Sequence, residues 1–164
     1  MANFFQPVLV ITTVSTALMG GLFYSWSCGI TQGLGKLPDL QYLSAMQSIN
    51  REIQRPLFLL VFVGIVIILP FVTWQSYRAH QHSTLIYLAV ASALYIFGVF
   101  AVTIAGNVPL NEMLDKVELS GSAAEALKET RAAFEVKWNL LNRIRTICAV
   151  ATLVCTVMGL QSSK

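Results

Sequence analysis

Three short stretches of this chain combine side-chain amides with a guanidinium or an indole. They are Asn50-Arg51, Asn107-Val-Pro-Leu-Asn111 and Trp138-x-x-x-Asn142-x-x-Arg145. An amide offers two donors and an acceptor, and a guanidinium offers a rigid fork of donors with a permanent charge. Set in a low-dielectric pocket, such groups stabilise a developing oxyanion by about 3 kcal/mol per donor. Asn50, Asn142 and Arg145 are therefore the first candidates for a buried polar site. Asn107, Asn111, Arg51, Met46 and Trp138 are the candidate substrate-binding residues, with Trp138 supplying a flat apolar face on which an aromatic ligand can stack. No metal is expected. His80 and His82 stand two apart in a short polar turn with no third ligand nearby and read as solvated loop residues.

These residues must be positioned in a membrane. The chain has 164 residues, of which 55% are hydrophobic and 12% charged, against about 25% charged in a soluble domain. Its mean hydropathy is +0.65. The net charge of +3 is spread over the loops, which gives no nucleic-acid footprint. Cys28, Cys148 and Cys155 all sit in apolar runs and read as small hydrophobes. The segment before Pro7 lacks the basic stretch of a secretory signal, so the first apolar run reads as a retained span.

The expected architecture is all-α: one membrane domain, 1–164, built as a four-helix bundle with an added amphipathic helix. Spans are expected at about 7–30, 56–77, 84–106 and 138–160. Small residues in the first allow close helix packing. The connection Thr31–Asp39 has the Gly and Pro of an irregular loop, without the spacing of a phosphate-binding one. Pro38 then suits the first turn of the amphipathic helix, about 38–54, whose apolar stripe reads Leu40, Leu43, Met46 and Ile53. Asn50 falls on that stripe, so its amide is partnered or lies over a pocket.

Pro70 should kink the second span, which Trp74 and Tyr77 close as an aromatic belt. Pro109 should stop the third, leaving Asn107 and Asn111 just past its end. Ser122 with Glu125 matches a capping box that starts the last helix, with an extramembrane portion at about 122–137. The charges of that portion read as a solvated face, with Glu125–Lys128 and Glu129–Arg131 as pairs.

The final apolar run, Thr146–Leu160, covers only about 22 Å, short of a bilayer core of about 30 Å. The turns before it must help to span. Trp138, Asn142, Arg145, Ala149 and Thr152 then share one helix face, with Asn139 and Arg143 off it. Four spans in series put Asn50, Arg51, Asn107, Asn111, Asn142 and Arg145 at one end of the bundle, where ligand sites are built from facing helices. That end carries Lys36, Arg51, Arg55, Lys116, Lys128, Arg131, Lys137, Arg143 and Arg145, against Arg78 and Lys164 at the other. The positive-inside rule places the loop-rich side in the cytoplasm.

The chain resembles the anthrone-oxygenase-like family of small four-span membrane proteins. The resemblance rests on Gly33-x-Gly35-x-Leu37-Pro38-Asp39, Met46-Gln47-x-Ile49-Asn50, Pro56-x-Phe58, Asn107-Val-Pro-Leu-Asn111 and Trp138-x-x-x-Asn142-x-x-Arg145-Thr146. It implies a monooxygenase that oxidises an anthrone methylene to a quinone with molecular oxygen as co-substrate and no other cofactor. Its matching positions are Asn50, Asn107, Asn111, Trp138, Asn142 and Arg145, of which the resemblance makes Asn50, Asn142 and Arg145 the candidate catalytic residues. The enolate of such a substrate can pass an electron to oxygen without a metal. Glu52, Glu135 or Tyr42 could act as the base, and the sequence does not select among them.

A second reading is a non-catalytic membrane module that binds a lipid, a quinone or a haem, or supports a partner subunit. The expected partners are the lipid bilayer and a small hydrophobic or aromatic ligand, and an oligomer is compatible with the chain. Transport has little support, because the spans carry no carboxylate and no inverted repeat.

Overall fold

The computed structural model describes the backbone of residues 2–163 and the side chains of residues 5–163; Met1 and Lys164, the latter counted above among the far-side cations, lie outside them. The described residues form five helical rods and no strand. The first, α1, runs Ala2–Ser25 and continues through a π-helical turn, Trp26–Ile30, into one α turn, Thr31–Leu34. The amphipathic α2 is Asp39–Glu52 and α3 is Pro56–Arg78. The fourth rod, α4, starts as His82–Ala93 and passes through π-helical segments Leu94–Ala101 and Thr103–Asn107 into Val108–Asp115. The last, α5, is a single helix, Ala124–Ser162, about 58 Å long.

Four of these rods (all but α2) are long and apolar enough to cross a membrane. A multi-pass membrane protein must satisfy its backbone polar groups within each span, and helices do so. The rods alternate in direction. α1 packs on α3 and α5, and α4 packs on the same two, which closes a four-helix ring.

Threonines on the spans donate back to carbonyls of the preceding turn, as Thr12 does to Val8 and Thr152 to Cys148. These hydroxyls thereby enter the apolar layer with their donors met, whereas Thr84 Oγ1, at the start of the span that opens at His82, is buried without a partner. Gly98 allows a close approach of α4 to α5: a Cβ there would overlap Cys148 Sγ and stand 2.7 Å from its Cβ. Gly98→Ala is therefore expected to lower the melting temperature of the purified protein. Adding Cys148→Gly should restore most of the loss, because the overlap involves that side chain alone.

Four local expectations are corrected. Pro109 does not stop the third span: Thr103–Asn107 widens to π geometry just ahead of it, and the proline falls in the first turn of Val108–Asp115, where its missing N–H costs least. Ser122 does not cap α5: its hydroxyl donates to Glu118 O, and the helix starts at Ala124. On α2 the buried stripe is Tyr42, Leu43, Met46 and Asn50, whereas Leu40 is exposed. Glu125–Lys128 forms as expected, but Arg131 leaves Glu129 and turns inward to Asp39 and Glu135.

Candidate functional site

At the loop-rich end, α1, α2, α3, α4 and α5 enclose a cavity of about 430 Å³. That lies within the roughly 300–1,000 Å³ usual for small-molecule sites. Seven of the residues singled out from the sequence line it: Asn50, Arg51, Asn107, Asn111, Trp138, Asn142 and Arg145. Met46 does not. It lies fully buried in the core formed with Trp26, Tyr42, Leu43 and Trp138, because its stripe on α2 faces α5 one turn before the cavity begins.

The helix ends are held by a few polar ties. Gln47 donates from Nε2 to Leu114 O at 2.8 Å and to Val117 O at 3.0 Å, fastening α2 to the end of α4. One turn on, Arg51 Nε donates to Asp115 Oδ1 at 2.5 Å across the cavity mouth. One turn before Asp115, Asn111 Oδ1 accepts from Trp138 Nε1 at 2.9 Å. The Trp138 ring packs 5.0 Å from that of Trp26, at 53°. These two indoles, with Phe23, Phe58 and Phe62, give the cavity an aromatic wall. Leu59 and Ile104 line the cavity and are also exposed, so its apolar side reaches the outer surface of the bundle between α3 and α4.

The floor is polar. Arg145 is 6% exposed, Asn142 and Asn107 are each 1% exposed, and Asn50 is 7% exposed. Arg145 donates to Asn142 Oδ1 at 3.0 Å and, at a long 3.4 Å, to Thr103 Oγ1. Its guanidinium carbon stands 4.7 Å from the ring centre of Phe23 and 5.5 Å from that of Trp138, within cation–π range. Among the described residues it has no carboxylate within ion-pair distance, and its Nε has no partner.

Asn142 also donates from Nδ2 to Ser27 Oγ at 3.0 Å, so both ends of its amide are engaged. Ser27 in turn lies 2.7 Å from Thr146 Oγ1. Asn142 therefore aims Arg145 and offers little of its own to a ligand. Asn107 is the reverse case, with neither its Nδ2 nor its Oδ1 partnered, and Asn50 Nδ2 is also free. Buried polar atoms left in this state cost about 1–3 kcal/mol each, and those facing a cavity can be met by a ligand or by ordered water.

Two π-helical segments border this floor. Trp26–Ile30 presents Trp26 and Ser27, and Thr103–Asn107 presents Thr103 and Asn107. A π turn rotates the residues after it relative to a plain α-helix, and such turns gather at functional sites. Trp26, Ser27, Phe23 and Thr103 escaped the sequence reading because Ser and Thr on a span usually serve packing, and nothing in their spacing sets these apart.

The three residues considered as bases lie elsewhere. Glu52 pairs with Arg55 in solvent, and Glu135 pairs with Arg131 at 2.7 Å. Tyr42 is buried beneath Arg131, and burial, with Glu135 adding to it, pushes its hydroxyl well above the usual tyrosine range. A phenol held protonated cannot accept a proton. Two carboxylates that the sequence reading passed over, Glu112 and Asp115, line the mouth instead. His80, at φ 55°, sits in the turn between α3 and α4 and His82 is the first residue of α4, both at the far end of the bundle.

No curated protein and no solved structure matches the chain. A family model does, that of the anthrone oxygenases, over residues 46–155. The match leaves out α1 and the Gly33–Asp39 loop, but it takes in Asn50, Asn107, Asn111, Trp138, Asn142 and Arg145 together with both carboxylates at the mouth. With about two-thirds of its length covered, including all but the α1 wall of the cavity, the chain belongs to the anthrone oxygenase family.

Proposed function

We propose that the cavity takes a flat, membrane-soluble aromatic ketone of the anthrone type and promotes oxidation of its methylene by molecular oxygen. The observation that carries this reading is Arg145, a buried cation without a carboxylate partner, set among aromatic rings at the floor of a ligand-sized cavity. An intramembrane cation in that state is costly to keep and favours a ligand that brings or develops negative charge.

An anthrone supplies that charge. Loss of a methylene proton places the negative charge on the ketone oxygen as an aromatic enolate, which Arg145 stabilises while the amides of Asn107 and Asn50 supply further donors. The enolate is itself the reductant. It passes one electron to oxygen, and the resulting pair of radicals joins at the former methylene carbon to give a hydroperoxide. Loss of water from that hydroperoxide leaves the quinone carbonyl. One oxygen atom ends in the product and the other in water, and no other reductant is needed. Leu59 and Ile104 would admit such a substrate from the lipid side.

The test is oxygen uptake by the full chain in lipid nanodiscs with anthrone as substrate. The expected result is a protein-dependent rate with one oxygen consumed per anthraquinone formed. Uptake no faster than in empty nanodiscs, with anthraquinone still binding, would replace the oxygenase with a quinone- or lipid-binding module. Among the described residues the cavity wall offers no histidine, cysteine or methionine as an axial ligand, which favours the aromatic ketone over haem.

A further inference from the structure

We propose that Glu112 is the base that removes the methylene proton, an inference that rests on the anthrone-type reading above. Five charged side chains line the cavity: Arg51, Glu112, Asp115, Lys116 and Arg145. Only two of them are carboxylates, and Asp115 accepts the Arg51 Nε–H at 2.5 Å. Glu112 enters no ion pair among the described residues. It stands four residues after Val108, on the cavity-lining stretch of α4 that also carries Asn107 and Asn111. Its carboxylate belongs to the exposed mouth and Arg145 to the buried floor.

The substrate's own geometry asks for this separation. In an anthrone the ketone and the methylene lie across the central ring from each other. With the ketone oxygen at Arg145, the methylene points away from the floor toward the mouth. A base beside Arg145 would face the wrong edge of the ring, and it would also neutralise the cation that stabilises the enolate.

The proton balance closes on this one group. A Glu112 oxygen takes the methylene proton; the C–H bond breaks and its electron pair moves into the ring and onto the ketone oxygen. After the enolate has combined with oxygen, the Glu112 carboxylic acid returns the proton to the peroxide anion. The carboxylate then takes the remaining hydrogen of that carbon as the O–O bond breaks. The departing hydroxide recovers this proton and leaves as water, and Glu112 ends as it began.

Two readouts test the assignment. The first is anaerobic exchange of the anthrone methylene hydrogens in D2O, followed by NMR, which reports proton removal without oxygen chemistry. The second is aerobic turnover of anthrone and of its dideuterated form. In the full chain in nanodiscs, Glu112→Gln is expected to slow both exchange and turnover by about 10²-fold or more, with anthraquinone binding unchanged. Glu112→Asp should recover part of the rate. Exchange and turnover at the wild-type rate in Glu112→Gln would overturn the proposal.

If Arg145→Met is inactive while Glu112→Gln is fully active, the base assignment fails and the oxyanion site stands. If the wild-type protein neither exchanges nor oxidises anthrone, the substrate reading fails and takes Glu112 with it. Glu112 is exposed at a helix end and makes no tie to another element, so the variant's fold is not in question.

Discussion

Replacing Arg145 with Met will lower turnover of anthrone by about 10²–10³-fold while leaving the protein at least as heat-stable as the wild type. The two halves of this expectation have separate causes. Turnover falls because the enolate loses its one buried cation, and a thioether cannot replace it. Stability holds because Arg145 has, among the described residues, no carboxylate to leave unpaired. Its removal frees Asn142 Oδ1 and a long contact to Thr103, and the cation–π contacts to Phe23 and Trp138 give way to the sulfur–aromatic contacts that Met can make.

Against that loss of about 1–3 kcal/mol stands relief from burying a full charge inside a span, which costs at least as much. Oxygen uptake and the melting temperature, read on the same nanodisc preparation, check both. An unfolded variant would show that Arg145 ties the helices together and is no site residue. A folded variant with wild-type turnover would sink the oxyanion role. Arg145→Lys should fall between, since an ammonium keeps the charge but cannot hold Asn142 while keeping a fork toward the ligand.

Removing Arg131 should have the opposite profile, a large loss of stability with activity lost as a consequence. Arg131 is the clasp between α5 and the loop that leads into α2. It donates to Gly35 O and Leu37 O at 2.8 Å each, to Asp39 at 2.9 Å and to Glu135 at 2.7 Å. Its guanidinium also lies 4.4 Å from the ring centre of Tyr42. Gly35 is closely packed: a Cβ there would meet Thr31 O at 3.1 Å and Glu135 Oε1 at 3.4 Å, so a side chain would need these neighbours to shift by a few tenths of an ångström.

Arg131→Ala leaves two carboxylates and two carbonyls without their donor, and charge-assisted bonds of this kind are worth about 2–3 kcal/mol each. Thermal unfolding should show a drop of many degrees. Arg131→Lys should recover less than half of it, because one ammonium cannot reach both the loop carbonyls and the carboxylates. Because α2 carries Asn50 and Arg51 to the cavity, loosening it should raise the KM for anthrone before it lowers kcat. A variant as stable as wild type would show that the ties to Gln47 and Arg51 suffice to dock α2.

The sequence alone determined that the chain is all-helical with four long apolar helices, and which polar residues gather at one end of them. Lipid leaves a chain few choices: long apolar runs must be helices, and helices joined by short connections alternate in direction. On α5 the spacing of Trp138, Asn142, Arg145, Ala149 and Thr152 was enough to put them on one buried face, because helical periodicity is local.

What each polar group meets was decided only by the tertiary structure. Asn142 and Asn107 look alike in sequence, yet the first has both ends of its amide engaged and the second has neither. Arg131 reads as one more surface cation until the Gly35–Asp39 loop folds onto it. The π turns before Ile30 and Asn107 rotate the rest of their helices by an amount that no local pattern records. Pairing across helices depends on such rotations and on depth to within an ångström or so. For that reason the base candidates chosen by residue type fell outside the cavity, and a carboxylate at the end of α4 stands at its mouth.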